Sequence, residues 1–168
     1  MVVVEATSRR FMATVLAAVG VPFFSGHALP QGTGPADAAP RVTDGDTLKQ
    51  GGTTYRLWGI DAPELAQTCG DGWPAGRMAA TKLKALTAGR TIVCQDKDRD
   101  RYGRTVAICR ANGEDLGAIL VREGLAWAFV RYSRGYVGQE EEARVERLGV
   151  HAHDCQPARK WRAQQRSR

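Results

Sequence analysis

Three short stretches of the chain combine carboxylates with guanidiniums at spacings suited to chemistry on an anion. Asp44 to Thr47 reads DGDT, Arg56 to Glu64 reads RLWGIDAPE, and residues 98–104 read DRDRYGR before the alternating apolar segment TVAIC. Aspartate and glycine are poor strand formers, so a DGDT placed inside the first strand needs a compensating role. If neighbouring strands set Asp46 beside Asp61, the two carboxylates repel unless a cation lies between them. Hard oxygen ligands favour calcium or magnesium over zinc. Pro63 stops the second strand, so that Glu64 projects from the turn. Taken singly, DGDT and APE read as turns, and Asp98, Arg99 and Arg101 as solvated loop charges. Taken together, with Arg56 five residues before Asp61 and the DRDRYGR cluster downstream, they are hard to explain as turns. Two planar guanidiniums and a divalent cation can neutralise charge building on phosphoryl oxygens, while a carboxylate accepts the proton of an attacking water.

The elements that must position these groups follow from patterning. Arg41 to Gln50 and Thr53 to Ile60 are β-prone runs separated by Gly51 and Gly52, a hairpin signal. TIVCQDKD and RTVAICRA form a second hairpin. Between them, Pro74 to Gly89 places Ala79, Leu83 and Leu86 on one side of an amphipathic helix. EDLGAILVREG predicts another helix, with Leu116, Ile119 and Leu120 on one face, and GQEEEARVERLG a polar helix ending at Gly149. Strands with one inserted helix, then helices, give an α+β class with a small antiparallel barrel. No internal repeat is visible.

The 168 residues carry a formal net charge of +6 and four cysteines. Arg9 and Arg10 precede the apolar run Phe11 to Phe24, and Gly26 and Ala28 suit signal peptidase, so residues 1–28 read as a secretory leader. A later cut at the Ala36 and Ala38 pair leaves the same domain. A membrane anchor is the bland alternative, but the run falls short of the roughly 20 residues a spanning helix needs. Ser8, Arg9 and Arg10 leave the choice between general and twin-arginine export open. Residues 29–40, rich in Pro, Gly and Ala, form a linker. The domain then occupies residues 41–150, and residues 151–168 form a tail carrying Arg159, Lys160, Arg162, Arg166 and Arg168 against Asp154 alone. Such a tail suits an anionic polymer, or is a frayed, solvated terminus.

Export makes the cysteines meaningful, because an even count in a secreted domain usually signals disulfides. Cys94 and Cys109 end the strands of one antiparallel hairpin and are expected to pair. Cys69 and Cys155 remain by subtraction, as a second bridge or two free thiols. HAHDC, at His151 to Cys155, offers zinc-type ligands, but no second cluster completes a site. These are the only histidines beyond the leader, so a central histidine base is not expected.

DGDT, RLWGIDAPE and the DRYGR of Asp100 to Arg104, followed by GAILVREGLAWAFV, resemble in order and spacing the signature blocks of the staphylococcal nuclease (thermonuclease) family. The cysteines and the short LAQTCGDGWPAGR segment resemble its secreted, cysteine-containing bacterial branch. The resemblance implies a five-stranded OB-fold β-barrel with three helices. It also implies calcium-dependent hydrolysis of phosphodiester bonds in DNA and RNA, leaving 3′-phosphates. Carried over by position, Asp46, Asp61 and the Ala62 main-chain carbonyl would hold one Ca2+, with Asp44 assisting through water. Glu64 would be the general base, Arg56 and Arg104 the phosphate clamps, and Tyr102 and Tyr132 substrate contacts. The expectation is a monomeric, secreted or periplasmic nuclease with no stable membrane association after leader cleavage. The competing reading is a non-catalytic OB-fold module that binds nucleic acid or another anionic polymer.

Overall fold

The structure, a computed structural model, describes residues 39–167. The expected leader, and all of the expected linker but its last two residues, lie outside the described residues.

Strands β1 (Arg41–Asp44) and β2 (Thr47–Gln50) form a first hairpin, and β2 pairs with β3 (Thr53–Leu57) across Gly51 and Gly52. Both glycines take positive φ, 55° and 82°, as the tight two-residue hairpin turn requires. The run from Arg41 to Gln50 is therefore two strands, and DGDT is the turn between them. The Asp44 side chain accepts the Asp46 N–H at 3.1 Å, closing a local turn that a continuous strand would not allow.

A hairpin of β5 (Ile92–Arg99) and β6 (Thr105–Ala111) joins this meander, and β3 runs parallel to β6, with Arg56 opposite Val106. The sheet order is β1-β2-β3-β6-β5, with the short β7 (Glu114–Asp115) on β6. The expectation of a wholly antiparallel sheet thus fails at one junction, because the helix α1 (Ala75–Thr87) and its flanking loops carry the chain back across the sheet. Strand β4 (Ile60–Asp61) leaves the main sheet and pairs with β8 (Trp127–Ala128).

Helix α1 turns Ala79, Leu83 and Leu86 inward, as its periodicity predicts, onto Leu48, Leu57, Ile92 and Ala107. Helix α2 (Leu116–Arg122) is capped by Asp115, whose carboxylate accepts the Ala118 N–H at 3.1 Å and the buried Tyr136 hydroxyl. Leu116 and Leu120 are fully buried on it, whereas Val121 takes the inner place predicted for the half-buried Ile119. Helix α3 (Val137–Val145) stops short of Gly149, because Arg147 adopts a positive φ of 51° and breaks the helical path. A fourth helix, α4 (Ala158–Arg166), occupies the basic tail.

Both disulfides are present. Cys94 faces Cys109 directly in the β5–β6 register, and Cys69 bridges to Cys155. Closing the first loop restricts the unfolded chain by roughly 3 kcal/mol, and closing the second, whose ends are 86 positions apart, by about 4.5 kcal/mol.

Gly45 sets how closely the DGDT turn approaches α1. A Cβ there would lie 2.6 Å from the Ala79 Cβ and 2.8 Å from the Ala62 Cβ. Gly45→Val is expected to cost about 1–3 kcal/mol through overpacking, read as a lower urea midpoint with an unchanged slope. An unchanged midpoint would show that the turn is free to move outward.

Candidate active site

The site grows from two buried carboxylates. Asp46 lies in the β1–β2 turn with only 4% of its side chain exposed. Its Oδ2 accepts the Ala62 N–H at 2.9 Å, and its Oδ1 accepts the Thr47 hydroxyl at 3.1 Å and pairs with Nη1 of Arg56. Through Nη2 the same guanidinium reaches Oδ1 of Asp61 at 3.1 Å. One planar group touching both acids requires that they face a common space. The acids do meet, though not from adjoining strands: β4 pairs with β8, and the approach to Asp46 runs through the Ala62 N–H. Burial pulls the Arg56 guanidinium below its ordinary pKa, opposed by Asp61 and Asp44 and reinforced by Arg104 and Arg162.

Arg104 enters from the β5–β6 loop. Asp100, four residues earlier, holds its Nε at 2.7 Å and its N–H at 3.0 Å, and also takes the Tyr102 N–H. Desolvation raises the Asp100 carboxyl, but these hydrogen bonds, chiefly from Arg104, outweigh it and leave the pKa below the usual value. Arg104 Nη1 then donates to the Thr47 hydroxyl at 3.3 Å, so Thr47 links it to Asp46. Tyr102 stands outside, 69% exposed, with the Arg104 guanidinium 5.7 Å from its ring centroid. Tyr132 sits in an aromatic cluster with Trp58 and Phe129, at centroid distances of 5.8 and 5.0 Å.

Glu64 is positioned by Gln67, a buried amide. The Gln67 Oε1 accepts the Glu64 N–H at 3.2 Å, and the Gln67 N–H donates to the Glu64 carbonyl at 2.7 Å. Gly76 lets α1 press on this turn, for a Cβ there would fall 1.7 Å from the Glu64 carbonyl oxygen. The Glu64 carboxylate itself is engaged by Arg162 of α4: Nη1 donates to Oε1 at 2.7 Å, while Nη2 donates to Oδ1 and Oδ2 of Asp61 at 3.1 and 3.2 Å. Burial lowers the Arg162 pKa, but hydrogen bonds to Glu64 and Asp61 more than offset this and raise it. Asp46, Arg56, Asp61, Arg162 and Glu64 thus form a chain of alternating charges.

Sequence reasoning did not find Arg162, Gln67 or the role of Asp100. Asp100 left a signal, since an acid four residues before Arg104 in a tight loop can clamp it. Arg162 left only its proximity to Cys155. The HAHDC motif is consumed otherwise: Cys155 is bridged, and His153 contacts Asp71 at 2.6 Å and stacks on Trp73.

Among the described residues no three Asp, Glu, His or Cys side chains converge as a metal-holding group. Asp44 is turned onto the Asp46 N–H and Glu64 onto Arg162. The Asp46 and Asp61 pair nonetheless fits a hard cation in its chemistry. Both donors are carboxylate oxygens, both are nearly buried, and positive groups alone make the common space tolerable.

Residues 54–153 match the staphylococcal nuclease homologue family. The chain is 34% identical over 140 residues to a micrococcal nuclease of Shigella flexneri, covering 73% of this chain and 77% of that protein. It is 33% identical over 128 residues to an uncharacterized endonuclease of Escherichia coli O157:H7, covering 72% and 79%. It is also 34% identical over 164 residues to the succinoglycan biosynthesis protein ExoI of Rhizobium meliloti (strain 1021), covering 94% and 78%.

Gln67 is 1% exposed and its Nε2 also donates to the Gln156 carbonyl at 2.7 Å. Gln67→Leu keeps most of the volume but strands that carbonyl and the Glu64 N–H, and is expected to cost about 2–4 kcal/mol in urea unfolding. A loss below about 0.5 kcal/mol, within the range of ordinary surface changes, would remove Gln67 as the support of the Glu64 turn.

Proposed function

The chain belongs to the staphylococcal nuclease homologue family, and from that premise we propose that it is an exported, calcium-dependent nuclease hydrolysing phosphodiester bonds of DNA and RNA. The observation that carries this reading is the network joining Asp46, Asp61, Arg56 and Arg104, to which Glu64 is joined through Arg162. The chain brings these groups together from the DGDT turn, β3, β4, the Glu64 turn and the β5–β6 loop. Scattered charges on a binding surface would not need two of these acids almost fully buried.

In the proposed reaction Arg56 and Arg104 hold the scissile phosphate and neutralise its equatorial oxygens as charge develops. Asp46 and Asp61 would hold the Ca2+, with the Ala62 carbonyl and, through water, Asp44; bound there, the ion supplies positive charge to the phosphoryl group. Glu64, once released by Arg162, accepts the proton of the attacking water, which approaches phosphorus in line with the leaving oxygen. Tyr102, exposed beside Arg104, contacts the polymer flanking the cleaved bond. Tyr132, with its ring on an exposed aromatic cluster, is assigned a second contact further out.

One feature supports export. Disulfide pairing of all four cysteines suits an oxidising compartment, secreted or periplasmic. No helix among the described residues is long and apolar enough to cross a membrane.

The deciding experiment incubates the chain from Ala39 onward with DNA and with RNA, in calcium and in chelator, and analyses the product ends. Cleavage in calcium alone, leaving 3′-phosphates, is expected, and Glu64→Gln should lower kcat roughly 10²–10⁴-fold. If the wild type cuts neither polymer in calcium, the non-catalytic binding module replaces this reading.

A further inference from the structure

Helix α4 has little hydrophobic reason to be where it is. Of its nine residues only Ala158 is buried, and helices this short are marginal on their own. Beside the half-buried Trp161, two kinds of contact hold it. Just ahead of the helix, the Cys69–Cys155 bridge, the Gln67 bond to the Gln156 carbonyl and the Gly70 N–H to the Asp154 carbonyl at 2.6 Å fasten residues 154–156 to the loop after Glu64. Along the helix, the fastening is the Arg162 fork on Asp61 and Glu64, through three charged hydrogen bonds.

Those two acids are the ones the proposed reaction needs free. Arg162 Nη2 donates to both carboxylate oxygens of Asp61, so a cation ligated by Asp61 and the guanidinium contend for the same lone pairs. Arg162 Nη1 simultaneously occupies Oε1 of Glu64, the oxygen that would take the proton. The matched family segment ends at residue 153, so Arg162 lies beyond it.

We propose that Arg162 is a positioning residue of the active site that competes with the divalent cation. With no cation bound, α4 closes over Asp61 and Glu64; cation binding drives the guanidinium off both and releases the proton acceptor together with the metal ligand. This rests on the reading of Asp46 and Asp61 as the cation site. The coupling is reciprocal, so whatever holds α4 in place weakens cation binding by the same factor. The Cys69–Cys155 bridge, ending three residues before α4, keeps the guanidinium at high effective concentration over the acids, and its loss weakens the competition.

The test is calorimetric titration of calcium chloride alone into the oxidised protein, without nucleic acid. Arg162→Gln is expected to tighten calcium binding about 10-fold, and Arg162→Lys, which keeps the charge but loses the fork, by less. A Cys69→Ser, Cys155→Ser double variant should also bind calcium more tightly, and adding Arg162→Gln to it should gain less than in the oxidised protein. In the wild type, saturating calcium should speed hydrogen exchange of the α4 amides. Equal or weaker calcium binding by both Arg162 variants overturns the competition while leaving the cation site intact, as does α4 exchange that ignores calcium. No calcium binding by any form overturns both readings. Tightened calcium binding without cleavage of DNA or RNA would leave the competition standing and sink the nuclease reading instead.

Discussion

The site depends on the burial of two like charges against each other. At an effective dielectric of about 20, unit charges 4 Å apart interact by about 4 kcal/mol, and removing each carboxylate from water costs several kcal/mol more. Full burial of a leucine contributes only about 1.5–3 kcal/mol, so apolar packing around Asp46 and Asp61 cannot by itself keep both ionised and buried. Positive charge has to be supplied in the space between them. Arg56 supplies it in this structure by bridging the two acids, and Arg162 adds a second guanidinium on the outer side of Asp61. The proposed phosphate and cation sites would both be consequences of this arrangement, because the acids recruit positive groups and the positive groups attract an anion.

The backbone that makes this possible is mostly turn. Asp46, Glu64 and Arg104 all leave from turns or loops, and only Arg56 and Asp61 from strands. Loops become precise when their polar groups are fully used, and here they are. Asp44 caps its own turn, Gln67 brackets Glu64 on both sides, and Asp100 fixes both the backbone and the side chain of Arg104. Glycine enters where the turns must touch helix α1: Gly45 against Ala79 and Gly76 against the Glu64 carbonyl leave no room for a Cβ.

What the sequence disclosed follows from the range of the interactions involved. Cys94 and Cys109 could be paired because strand alternation carries register reliably through one hairpin. The inward face of α1 was legible because helical periodicity is local. The three charged stretches were legible as a set, yet the geometry assumed for them was not. DGDT was placed inside a strand, with a turn as its reading when taken alone, and the chain adopts the turn, since short-range preference alone does not say which of the two is adopted. The parallel pairing of β3 with β6 depends on contacts across the whole α1 excursion. Arg162 meets Glu64 across 98 positions and Asp61 across 101, with only the Cys69–Cys155 bridge hinting at the approach.

The basic tail therefore changes meaning once it is folded. As a string of residues it was a charge surplus, equally suited to a polymer or to water. As a helix fastened at Cys155 it delivers one guanidinium to an address that a freely moving tail would visit rarely. A guanidinium suits that address because its planar fork satisfies two carboxylates at once, which an ammonium cannot match. It also holds the two carboxylates on one planar group, so that they sit together. The Cys69–Cys155 bridge and the Gln67 bracket belong to the same loop that carries Glu64. Because one guanidinium holds both carboxylates, the helix cannot withdraw Arg162 from Asp61 without also giving up Glu64.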